Sequence, residues 1–148
     1  MSYVIQLTAA FIGSMGFAML FNIRGDKLMS CAFGGLLSWS VYLGLGCFIE
    51  GDVVRFFIAS MALTLYAEVM ARVRKSPDTI YIICAAIPLF PGGSLYNTMH
   101  LAAEGRWEEF SQTGMHTLLL AAAIAVGVRC MMTLLCLLYT SWRSATQK

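Results

Sequence analysis

The chain has 148 residues, of which 59% are hydrophobic and only 12% charged, with a formal net charge of +2 and a mean hydropathy of +0.73. An ordinary soluble domain carries about 25% charged residues, so these values exclude a water-soluble enzyme and a disordered tail. A nucleic-acid module would need a basic stripe, and this charge balance does not supply one.

Charged residues mark the ends of long apolar runs. A helix needs about 20 apolar residues to cross the hydrocarbon core of a bilayer. On that length the chain reads as one all-α membrane domain over 1–148, a bundle of five transmembrane helices at about 3–23, 28–49, 53–73, 79–101 and 115–140. The first run has no positive n-region and exceeds the h-region of a signal peptide, so it reads as a permanent helix. In the second, Ser30, Gly34 and Ser38 recur every four residues. Ala123 and Gly127 repeat that spacing in the fifth. Small residues so spaced let backbones approach closely in lipid, either within this chain or at a seam to a second subunit.

The third run contains Glu68, with Arg72 one turn on in the favourable order for a helix pair. Glu68 is therefore either a local partner of Arg72, or a partner of Arg129 in the fifth run, or a proton-carrying carboxylate. The fourth run holds Pro88, Pro91, Gly92, Gly93 and Ser94, followed by Tyr96 and Asn97. Each proline removes an N–H and clashes with the carbonyl four residues earlier. The spacing predicts a helix broken inside the membrane and restarted near Ser94 as N-cap. Broken backbone at that depth is tolerated where it is buried in protein or lines a cavity. A half-helix start there, pointing into the bundle, suits a carboxylate-bearing solute, with Tyr96 and Asn97 placed to hydrogen-bond it. The competing reading is a proline kink that only shapes the fold. Arg129, near the middle of the fifth run, has no acidic residue one turn away. Its partner must come from another helix or from a ligand, and it is a candidate anion contact.

Arg24 and Lys27 follow the first span, Arg72, Arg74 and Lys75 the third, and Arg143 and Lys148 the fifth. Five crossings place all three basic groups on one side, with Glu50, Asp52, Glu104, Glu108 and Glu109 opposite and only Arg55 and Arg106 among them. Lys and Arg favour the cytoplasmic side, so the N-terminus is expected outside and the C-terminus inside. Cys31, Cys47, Cys84, Cys130 and Cys136 form no CxxC pair, and His100 and His116 are isolated. They read as small packing residues and interfacial residues, with no metal site. The sequence lacks HExxH, GxSxG and GxxxxGK[ST], so hydrolase and nucleotide chemistry are not expected. No cofactor and no catalytic constellation are expected.

Gly16-Phe-Ala-Met-Leu-Phe-Asn22 closes the first span, and Ile87-Pro-Leu-Phe-Pro-Gly-Gly-Ser-Leu-Tyr96 followed by Met99 occupies the fourth. Together these stretches resemble the threonine/serine exporter family, with its GFA-x-x-FN and IP-x-FPG-x-x-x-Y-x-x-M signatures. The layout is similar to the small, membrane-only subunit of the split two-chain type, equivalent to the C-terminal half of fused members. The resemblance implies a secondary exporter of small carboxylates, serine and threonine or succinate-like dicarboxylates, in the bacterial cytoplasmic membrane. It also implies a larger partner subunit carrying the other membrane half and a cytoplasmic extension. The matched positions are Asn22, Pro88, Pro91, Gly92 and Tyr96. The substrate-path candidates are thus Asn22, Glu68, Pro88, Pro91, Gly92, Gly93, Ser94, Tyr96, Asn97 and Arg129. Oligomerisation, homomeric or heteromeric, stays open. The alternative is a non-transporting membrane scaffold, for which the small-residue seams suffice.

Overall fold

The computed structural model describes residues 3–146, with side chains described to residue 139; Lys148 and the Arg143 side chain lie outside the described residues. Six α-helices follow one another: α1 (Tyr3–Leu20), α2 (Asp26–Leu45), α3 (Asp52–Arg74), α4 (Asp78–Ala86), α5 (Gly92–Ala103) and α6 (Trp107–Thr146), with a 3-10 turn at Ile87–Leu89. Helices α1, α2, α3 and α6 are each long and apolar enough to cross a membrane, and α4 with α5 forms a pair bent by 57°. The protein is a multi-pass membrane protein with four such helices, or five spans if the bent pair is one crossing.

The helix ends follow from local chemistry. Asp26, Asp52, Asp78 and the Glu108–Glu109 pair sit in the first turns of α2, α3, α4 and α6, where a negative charge meets the positive end of the helix dipole. Three helices close in the same way. Asn22, Lys75 and Gly105 have positive φ, and the next residue donates back five positions: Ile23 to Ala18, Ser76 to Ala71 and Arg106 to Leu101, at 3.0, 3.0 and 3.1 Å. That closure satisfies carbonyls the helix end leaves unpaired. Arg55 closes the α2–α3 loop, donating to the carbonyls of Ile49 and Gly46 and pairing with Asp52.

Helix α2 is central and packs on α1, α3 and α4. Small residues make these approaches close. Gly35 meets Ser14 of α1, and Gly34 meets Ala85 of α4. Ser30, Gly34 and Ser38 are all buried, so that seam lies inside the chain. The core fills with Phe56, Ala59, Leu63, Ala85, Leu89 and Leu120 towards one end, and with Ala18, Cys31, Ala67, Tyr81 and Cys84 towards the other.

Helix α6 lies on the flank, packed on α3 and α5. A Cβ on Gly127 would fall 1.9 Å from Ser60 Oγ and 2.7 Å from the Phe57 carbonyl oxygen, so α6 touches α3 where only glycine fits. The Ala123–Gly127 seam is therefore internal as well. We expect Gly127→Ala to lower stability by about 1–3 kcal/mol through overpacking. Gly13→Ala meets nothing within 4 Å and is the control. Thermal unfolding in detergent checks this, and equal midpoints for the two variants would refute the close contact.

Helix α6 begins eight residues before the expected span start at 115 (at Trp107). The turn at Gly105 and the acidic first turn favour an earlier start than apolarity alone indicates. Arg106 in that turn bonds Glu109 at 2.9 Å and Glu104 at 3.4 Å. Those carboxylates raise the guanidinium pKa above its ordinary value.

Candidate functional site

The break in the fourth span is built by both prolines. Pro88 lies in the 3-10 turn, and Phe90 turns to extended backbone. Pro91 has φ −76° and ψ 56°, and Gly92 N–H bonds the Phe90 carbonyl at 2.7 Å. This is an inverse γ-turn centred on Pro91. The helix restarts immediately, with Leu95 N–H on the Pro91 carbonyl at 3.0 Å.

Ser94 is consequently not the N-cap; it lies inside the first turn of α5, where its carbonyl accepts the Thr98 hydroxyl at 2.8 Å. The γ-turn fixes the start three residues earlier than the serine would. Near the end of α4, before the break, Ser38 of α2 meets the Ala85 carbonyl at 2.8 Å while lying 2.9 Å from the Gly35 carbonyl. A neighbouring hydroxyl thus supports the backbone carbonyl just before the break, the kind of contact broken membrane helices use. Sequence reasoning took Ser38 only as a small packing residue. Its hydroxyl in a membrane span, opposite a proline break, was the available signal.

Helix α5 packs on α6, where Thr98 and Thr117 hydroxyls meet at 3.3 Å. Between the two helices runs an apolar groove of about 630 Å³, lined by Pro91, Gly92, Leu95, Met99, Met115 and Leu118 among others. The restart does not point into an enclosed bundle. Gly92, Gly93, Tyr96 and Asn97 are exposed on the flank, with Tyr96 72% exposed and stacked on His100 at 6.2 Å. The 57° bend turns α5 away from the four-helix body towards α6.

The other candidates lie elsewhere. Asn22 closes α1 in the left-handed conformation and accepts a bond from Arg24 at 3.1 Å. Glu68 bonds Arg72 at 2.8 Å, and Arg72 in turn lies over the Tyr139 ring at 5.3 Å. The Glu68–Arg129 pairing is not made; the (i, i+4) neighbour wins because helix geometry already delivers it.

Arg129 is the unusual residue. Gly127 meets Ser60 and Tyr139 meets Arg72, the same offset at both points. Helices α3 and α6 therefore run parallel, and Arg129 lies level with Ala62, near the middle of α3. It is exposed and lines a shallow groove of about 570 Å³ with Ala125, Val126, Cys130 and Thr133. Among the described residues its guanidinium has no hydrogen bond or ion pair. At the centre of a span such a charge costs about 2.5–3.5 kcal/mol on insertion scales. The ends of α3 are about 15 and 18 Å away along the axis, farther than the side chain reaches.

Residues 6–134 match the family described as Threonine/Serine exporter, ThrE. The chain belongs to the threonine/serine exporter family. Membership implies a transporter rather than an enzyme. No solved structure matches the chain.

The basic residues Arg24, Lys27, Arg72, Arg74 and Lys75 gather at one end of this family member, where Arg74 pairs with Asp26 at 3.0 Å. Glu50 and Asp52 precede α3, and Glu104, Glu108 and Glu109 surround the start of α6. Because α3 and α6 run parallel, these acidic residues gather at the other end.

Proposed function

We propose that this chain is one subunit of a secondary exporter for small carboxylates, serine and threonine or succinate-like dicarboxylates. On this reading it supplies the half equivalent to the C-terminal region of fused members, and a larger subunit supplies the other membrane half. The basic end faces the cytoplasm, by the preference of Lys and Arg for that side, so the N-terminus lies outside. The observation that carries the reading is Arg129, a mid-span cation, exposed and without a partner among the described residues. A guanidinium binds a carboxylate in bidentate fashion, and lipid offers it nothing comparable.

The start of α5 adds to this. Its first N–H groups left open by the γ-turn, at Gly93 and Ser94, carry the positive end of the helix dipole. Gly92 and Ala121 line one groove, and Arg129 lies about 12 Å beyond Ala121 along α6. A carboxylate passing along this flank meets α5 at one level and Arg129 two turns away, with Tyr96 and Asn97 beside the first. Asn22 and Glu68 have structural roles on this reading, as helix closure and as the partner of Arg72.

The test is efflux from cells preloaded with serine or with succinate, carrying this chain, the larger subunit, both or neither. The expected result is efflux of one solute with both chains only. No efflux of either solute, with both chains verified in the membrane, would overturn the reading in favour of a membrane scaffold.

A further inference from the structure

We infer that the exposed face of α6 from Ser111 to Leu137 is the seam against a transmembrane helix of a different chain, one that brings a carboxylate to the depth of Arg129. The inference rests on the two-subunit reading above and names the surface that joins the subunits. Ser111, Met115, Leu118, Ala125, Arg129 and Thr133 recur at spacings of three, four and seven, so they share one side of the helix. All six are exposed. The two grooves described above both open on this side, one walled by α5 down to Ala121 and the other, around Arg129, without a wall.

Three occupants could cover the open part, and charge decides between them. Lipid leaves Arg129 without a counter-charge in hydrocarbon, where charged side chains face protein or water and pair. A second copy related by a twofold axis along the membrane normal sets Arg129 against Arg129 at one depth, and like charges repel. That copy's carboxylate within a span, Glu68, is already bonded to its own Arg72 and lies about 9 Å from the level of Arg129 along the helix. A different chain with an aspartate or glutamate at this depth meets both requirements. The small side chains on this face, Ala121, Ala122 and Ala125, let its backbone come close. In the absence of solute that carboxylate is the counter-charge of Arg129.

The experiment co-expresses affinity-tagged chain with the larger subunit and measures how much larger subunit co-purifies in mild detergent. Ala125→Trp and Ala122→Trp place bulk on the seam, and Ile12→Trp does so on the exposed side of α1. Helical content of each purified variant is read by circular dichroism. The expected result is at least a tenfold loss of larger subunit for either seam variant and none for Ile12→Trp, with helical content unchanged. Retention in both seam variants overturns the inference and leaves the two-subunit reading standing. Failure of the unaltered chain to bind the larger subunit overturns both. Oxidative cross-linking covers the remaining occupant: a disulfide-linked homodimer that disappears with Cys130→Ser would show a second copy on this face and overturn the inference.

Discussion

Arg129→Leu is expected to reduce solute efflux on the order of 100-fold while leaving the amount of folded chain in the membrane unchanged or higher. The two halves of this expectation have separate causes. Among the described residues no group in the chain uses the guanidinium, so its removal costs the fold no hydrogen bond. It also relieves an insertion cost of about 2.5–3.5 kcal/mol. A bidentate contact to a carboxylate, by contrast, comprises two charge-assisted bonds of about 1.5–3 kcal/mol each, and a loss near 3 kcal/mol is about two powers of ten. Arg129→Lys retains the charge but not the fork, so its flux should fall between the two. Efflux rate and membrane abundance, measured on the same cells, check the pair. Unchanged flux in Arg129→Leu would remove Arg129 from the solute path.

The second large effect comes from straightening the fourth span. Each proline disfavours a helix interior by about 3 kcal/mol relative to alanine. Pro88→Ala with Pro91→Ala removes both obstacles and restores two N–H donors. The stretch from Asp78 to Ala103 then favours one continuous helix of about 39 Å, which cannot keep both the α4 contacts to α2 and the α5 contact to α6. Efflux is expected to fall at least tenfold. Spin labels at Asn97 and Gln112, on opposite helices of the α5–α6 hairpin, should move apart by about 10 Å or more. A straightened helix with undiminished flux would show that the break serves only the fold.

Much of this architecture was legible because lipid imposes a coarse rule. Long uncharged runs gave the spans, and basic residues after alternate runs are gathered at one end of the structure. The Pro88–Gly93 break was legible too, since two prolines and two glycines cannot continue a helix. Its direction was not. Nothing in Pro91-Gly92-Gly93 states that the γ-turn sends α5 outward over α6 and leaves Tyr96 and Asn97 on the flank. The small-residue seams were readable as seams but not as to partner, because Gly127 is equally suited to Ser60 of its own chain and to a neighbour's backbone. Glu68 was ambiguous for the same reason. Spacing offered Arg72, the cost of a buried charge offered Arg129, and the structure takes the closer one. Ser38 was underestimated because its hydroxyl signals a polar contact in a span but not which carbonyl it will meet.

Helix α6 has 40 residues, about 60 Å of rigid rod, and it bears on the body where Gly127 seats against Ser60. A rigid tilt of α6 about that contact would give its two sides unequal arms. Trp107 stands about 30 Å from it and Arg129 about 3 Å. A tilt of roughly 10° about Gly127 sweeps the α5 end of the rod through about 5 Å and shifts Arg129 by about half an ångström. The Pro-Gly break, level with Ala121 and about 9 Å from Gly127, moves about 1.6 Å in the same tilt, so the displacement is concentrated in the turn that joins α5 to α6.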